Sequence, residues 1–172
     1  SLVPPFSNST IDDTISLVSK DCFLGKVDIS RYFHTFPLAP SWRFLFWFFF
    51  AGIFYRMNTV IFGAGCSPYY TTAFGAEFYL WFSHAGIPST HFVDDHLVVG
   101  DDHPEARLNV GKICAFLTAL GFAMAIGKEE IAQQLVFIGF LLDSVRMKIY
   151  IESNSALSFF KELSSSLNTI VT

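Results

Sequence analysis

Hydrophobic and polar positions change their period several times along this chain, and each change predicts an element. Ser9 or Thr10 is placed to cap a short helix with Asp12 and Asp13 in its first turn and Ile11, Ile15 and Val18 on one face. Residues 24–30 read as a strand. Residues 44–55 are apolar without strict alternation, and with Ala51-Gly52 between the halves they predict a β-hairpin buried on both faces. A helix of about five turns is bracketed by Ser67-Pro68, a capping residue followed by proline at the first helical position, and by the Ala85-Gly86 stop. Within residues 89–100 two β-rich runs flank Asp94-Asp95, predicting a hairpin with both carboxylates at its tip. A second helix over residues 104–120 ends at Gly121, with Val110, Ile113, Leu117 and Leu120 as its buried stripe, and strands near 122–126 and 135–142 follow. Strand, helix, two strands, helix, strand is the order of a ferredoxin-like split βαβ unit. That is an α+β fold with helices on one face of an antiparallel sheet and the other face free for a substrate.

Composition narrows the class. The 172 residues fit one domain with a sizeable core. A content of 52% hydrophobic residues, with 21 phenylalanines, raises the question of a membrane protein. The most apolar run, between Arg43 and Arg56, falls short of the roughly 20 residues a spanning helix needs and contains Gly52, so no membrane partner is expected. Cys22, Cys66 and Cys114 form no CxxC pair, which argues against a disulfide framework or thiolate zinc site and for a reducing, intracellular compartment, cytoplasm or nucleus. The chain opens on Ser1 with no secretory signal pattern and reads as an excerpt of a longer protein. Its net charge of −4 would repel a phosphate backbone, so a nucleic-acid enzyme would need basic parts outside the excerpt.

The candidate chemistry lies in three carboxylates set against apolar strands, where an unpaired charge is costly to bury. These are Asp28 and the pair Asp94-Asp95. At a hairpin tip two adjacent carboxylates can turn towards one cation, and a third from a neighbouring strand would complete a magnesium site. Two such ions about 4 Å apart can activate a 3′-hydroxyl and stabilise a leaving pyrophosphate. A rival grouping, His91, Asp94, Asp95, His96 and His103, would make a transition-metal hydrolase.

Order and company favour the first grouping. Asp28-Ile29-Ser30-Arg31-Tyr32-Phe33-His34-Thr35-Phe36-Pro37-Leu38, then Phe62-Gly63-Ala64-Gly65-Cys66-Ser67-Pro68, then Phe92-Val93-Asp94-Asp95, then Gly121-Phe122 with Lys128, then Phe137-Ile138-Gly139-Phe140 resemble motifs A to E of reverse transcriptases. The resemblance covers residues 10–152 and is nearest to the branch in tyrosine-recombinase retrotransposons. It implies the palm of a right-hand polymerase over residues 1–152, including the end of the fingers, and the start of a connection to the thumb over 153–172. It further implies two Mg2+ ions, or Mn2+ as a substitute, on Asp28, Asp94 and Asp95, with Asp95 the least direct ligand. Lys128 would protonate the leaving pyrophosphate. Ile29, Ser30, Arg31, Tyr32 and Phe33 would line the nucleotide, their backbone N–H groups facing the triphosphate, with Phe33 as the steric gate against ribonucleotides and Gly63 beneath the templating pair. Phe92, Ser67, Pro68, Phe137 and Gly139 would contact primer and template. The implied partners are an RNA or DNA template with primer, dNTP, and the fingers and thumb of the same polyprotein. Tyr32, Ile61 and Phe92 depart from the family pattern, and a bulky Tyr32 would crowd the nucleotide pocket; a catalytically impaired palm scaffold is the alternative.

Overall fold

The computed structural model describes residues 9–125, 127 and 129–152. Helix α1 (Ile11–Leu17) is capped by Thr10, whose hydroxyl accepts the Asp13 N–H while the Asp13 carboxylate accepts the Thr10 N–H at 2.7 Å. Ile11 and Val18 of the expected stripe pack against the core, but Ile15 does not. Thr14 is buried, its hydroxyl satisfied by the Thr10 carbonyl, and Ile15 is exposed.

Strand β1 (Phe23–Ser30) runs into a single helical turn, α2 (Tyr32–Thr35), and a 3-10 turn over Pro40–Leu45 leads to the hairpin β2 (Trp47–Phe50) and β3 (Ile53–Arg56). Helix α3 (Ser67–His84), strands β4 (Ser89–Phe92) and β5 (Asp95–Gly100), helix α4 (His103–Ala119) and the two-residue strand β6 (Ala123–Met124) complete the predicted succession. After them come β7 (Glu130–Ala132), β8 (Gln134–Phe137), β9 (Phe140–Asp143) and β10 (Lys148–Ile151). The central sheet is antiparallel in the order β4-β5-β1-β6, as a split βαβ unit requires, and β7 shares with β6 the edge of β1 that β5 leaves open.

Each face of the sheet carries its own core. On one, Val27, Ile29 and Val98 pack with Phe78 and Phe82 of α3 and Val110, Ile113 and Leu117 of α4. Leu120, expected in that stripe, is exposed, because the helix has already ended at Ala119. Gly100 lets α4 approach the sheet: a Cβ there would stand 2.3 Å from the Ala106 nitrogen. On the other face Leu24, Leu97 and Val99 meet Leu135, Phe137 and Leu142. That second face is therefore not free throughout. The three-stranded sheet β8-β9-β10 covers one end: residues 135–142, a strand by their pattern and a hairpin at 137–140 by the family resemblance, fold back at Ile138-Gly139, both with positive φ.

Two further expectations are corrected. Ser67 is the first helical residue of α3 rather than its cap, which is Cys66 without a side-chain bond. The β2–β3 hairpin turns at Ala51-Gly52 as predicted, but all its residues are exposed, Phe54 at 70%. Its apolar run signalled burial, whereas the two strands pair with each other and with no strand of the main sheet. Ring pairs within the hairpin, Phe48 on Tyr55 and Phe49 on Phe54, hold it together.

His91 and His96 face each other across β4 and β5 on the helix side, ring centroids 6.0 Å apart, buried and, among the described residues, with no hydrogen-bond partner on any ring nitrogen. Burial holds both below the usual imidazole range, and the neighbouring His91 helps push His96 down to about 3. An unfolded chain takes up protons at these rings near pH 6.5, while the folded chain resists until far lower. Stability contributed by the neutral pair is therefore lost as pH falls from about 6.5 towards 3. Replacing the orphan ring, His96→Leu, is expected to add about 1 kcal/mol at about pH 7 and to flatten the acid limb. Urea unfolding at about pH 7 and about pH 5 checks both, and an acid limb as steep as wild type would refute the assignment.

Candidate active site

Alternation along β1 places Leu24, Lys26, Asp28 and Ser30 on the face away from the helices, and Gly25, Val27 and Ile29 towards them. On β5 the partner of Asp28 is Asp95, which shares its face with Leu97 and Val99. Both carboxylates lie at the end of the sheet that β8-β9-β10 leaves open, and both are half-buried. Asp94 sits in the two-residue turn Val93-Asp94, closed by the Phe92–Asp95 pair. Val93 is held at φ 57°, a conformation that a β-branched residue adopts at a cost. The Asp94 carbonyl accepts the Ile29 N–H at 3.2 Å, which ties the hairpin tip to the end of β1.

All three sequence-predicted carboxylates thus gather at one end of β1 and the β4–β5 turn. Lys26, missed in the sequence reading, joins them with Nζ 3.4 Å from Asp95 Oδ2. Its signal was its place two residues before Asp28 on the same strand face. The donors are all carboxylate oxygens, the chemistry of a hard divalent cation, but among the described residues no three His, Cys, Asp or Glu converge into a metal-binding group. An ion here would complete its shell with water, and with phosphate oxygens when a nucleotide is bound.

The rival metal grouping is not assembled. His91 and His96 are buried on the helix side, and His103 lies at the start of α4, its ring 5.5 Å from that of Phe23.

The residues expected around the nucleotide divide in the structure. The Ile29 N–H is engaged by Asp94, so it does not face outward to a triphosphate. Ser30 stays on the Asp28 face, and Arg31 is exposed in a left-handed conformation at φ 54°. Tyr32 does not crowd an open pocket. It is buried among Phe33, Phe36 and Phe122, and its hydroxyl donates to the Thr71 carbonyl of α3 at 2.8 Å. Burial, with the nearby Asp94 charge second, raises its phenol well above the ordinary range. Phe33 is also buried, its ring 4.4 Å from that of the exposed Phe62, which sequence reasoning did not single out. Gly63 has φ 85° and open space where a Cβ would be, so its backbone conformation, rather than any close neighbour, calls for glycine.

Among the expected primer and template contacts, Phe92 is exposed beside Asp95, Pro68 is half-buried and Ser67 is buried. Phe137 is a core residue under the sheet and Gly139 forms the β8–β9 turn with φ 83°, so of this pair only the turn reaches the surface. Lys128 lies outside the described residues.

Solved structures share this fold. A foamy viral protease-reverse transcriptase in complex with dsDNA superposes with a TM-score of 0.76 at 17% identity, over 90% of this chain and 31% of that one. The same kind of protein with an RNA/DNA hybrid gives 0.70 at 15% identity, over 88% and 20%. The native prototype foamy virus protein gives 0.65 at 21%, over 80% and 18%. The fold is reverse transcriptase-like. This chain spans less than a third of the length of those proteins. No family model matches the sequence, and no curated protein does. No helix among the described residues is long and apolar enough to cross a membrane.

A core role for Tyr32 has a direct check. Tyr32→Phe removes one buried hydrogen bond and is expected to lower stability by about 1 kcal/mol with the denaturant slope unchanged. Unaltered unfolding would return Tyr32 to the nucleotide site.

Proposed function

We propose that this chain is the palm of a reverse transcriptase, an RNA-directed DNA polymerase that joins dNTPs to a primer 3′-hydroxyl on an RNA or DNA template. The observation that carries the reading is the β1–β5 register: it sets Asp28 opposite Asp95, with Asp94 in the adjoining turn, at the open end of a reverse transcriptase-like sheet. Neighbours of that fold were solved with dsDNA and with an RNA/DNA hybrid, ligands this reading extends to the chain. Asp28 and Asp94 would hold two Mg2+ ions, or Mn2+, with Asp95 in support. Such ions supply activation of the attacking hydroxyl and stabilisation of the leaving pyrophosphate. The sequence motifs point further to a retrotransposon of the tyrosine-recombinase kind and to an intracellular site of action. Residues 1–152 would then be palm with the end of the fingers, and 153–172 the start of the connection to the thumb. Fingers and thumb of the parent polypeptide would supply the cations that a chain of net charge −4 lacks.

One observation favours a second reading, a palm scaffold with impaired catalysis: the three carboxylates do not converge in the described structure. Primer extension separates the two. The parent polypeptide is expected to incorporate dNTPs in Mg2+, with Asp94→Asn lowering the rate by about 1,000-fold, or about 4 kcal/mol of transition-state stabilisation. Residues 1–172 alone should extend primers poorly, and extension by the parent that survives Asp94→Asn would remove the carboxylate site from the mechanism.

Discrimination between sugars tests Phe33. Its ring packs on the exposed Phe62, and on this reading its outer edge would meet the ribose 2′-hydroxyl. Phe33→Val is expected to raise ribonucleotide incorporation by about tenfold or more by removing a repulsive contact. Unchanged selectivity would leave Phe33 a core residue alone.

A further inference from the structure

We infer that Lys26 is a built-in counter-cation of the acidic site, which holds Asp95 and sets how tightly the site takes up divalent ions. The inference rests on the reading of that site as a divalent-ion centre and adds a residue to it. Asp28 and Asp95 are direct partners across β1 and β5 on one face of the sheet, and like charges so placed destabilise an antiparallel pair. Lys26 lies on the same face two residues earlier, diagonal to Asp95.

The direction of its side chain is informative. Glu130 is the register partner of Lys26 on β7, yet among the described residues the ion pair of Lys26 is with Asp95, at 3.4 Å. Each side chain of that pair is about a quarter exposed, 25% and 27%, so solvent screens it less than a fully exposed pair. The ammonium group offsets repulsion between the carboxylates while no ion is bound. A divalent cation arriving at Asp28 and Asp94 meets that same positive charge close by and must either repel it or bind against it. Lys26 therefore stabilises the ion-free sheet and weakens ion binding. A merely structural lysine would do the first without the second, and loss of a structural lysine would leave affinity unchanged or lower it.

The test uses Mn2+ alone as the probe, titrated into the 172-residue chain and followed by water proton relaxation, with urea unfolding in the absence of divalent ions. Lys26→Met is expected to bind Mn2+ about tenfold more tightly than wild type while unfolding at lower urea. Lys26→Arg keeps the charge and should stay near wild type in both measurements. Lys26→Gln, should Lys26→Met fail to fold, is expected to shift affinity in the same direction. Weaker or unchanged Mn2+ binding in the neutral variants, with Asp94→Asn abolishing the binding of wild type, overturns the role of Lys26 but leaves the ion site standing. Wild type that takes up Mn2+ no better than Asp94→Asn overturns both.

Discussion

The antiparallel ladder between β1 and β5 is the constraint on which the rest of this structure depends. Its register pairs Phe23 with Gly100 at one end and Asp28 with Asp95 at the other. A slip of one residue would turn every β1 side chain to the opposite face, sending Asp28 into the helix-side core and Val27 into solvent. Burial on both faces forbids that slip: Val27 and Ile29 are needed between α3 and α4, and Leu24 and Leu97 are needed under β8 and β9. Apolar packing thus fixes where the carboxylates stand, although they contribute nothing to it.

Electrostatics at the open end follows from that placement. The sheet brings together charges that would separate in water, and the Lys26–Asp95 pair sets a positive charge beside them, while the bond from the Ile29 N–H to the Asp94 carbonyl anchors the turn. The turn itself carries strain at Val93, since a valine at φ 57° persists where the surroundings over-determine it. The same hairpin has the orphan pair His91 and His96 on its other side. One two-stranded unit therefore presents carboxylates to solvent and neutral imidazoles to the core, which the alternation of a strand permits within a few residues.

Aromatic residues do two different jobs in this chain. Tyr32, Phe33, Phe36, Phe78, Phe82 and Phe122 form the buried cluster that seats α2 and α3 against the sheet. The rings of β2 and β3 are exposed and pack mainly on one another, with Arg56 over Trp47 at 5.7 Å. This chain matches less than a third of each of the foamy viral proteins that share its fold.

Local chemistry was legible in the sequence wherever it acts within a few residues. Thr10 with Asp13, the Ala51-Gly52 turn, the Gly86 and Gly121 stops and the Asp94-Asp95 hairpin were readable because caps and turns depend on side chains and φ preferences at adjacent positions. The order of elements sufficed for the sheet order, since a split βαβ unit admits few topologies. Long-range packing was not legible. Hydrophobicity marked residues 44–55 for burial, and Tyr32 for the pocket by analogy, but which apolar surface finds a partner is decided by elements far away in the chain. Thr71, 39 residues from Tyr32, takes its hydroxyl, and β8 to β10 cover one end of a face that the pattern left open. Lys26 shows the same division: alternation determined its face, and only the β1–β5 register decided that its charge would meet Asp95.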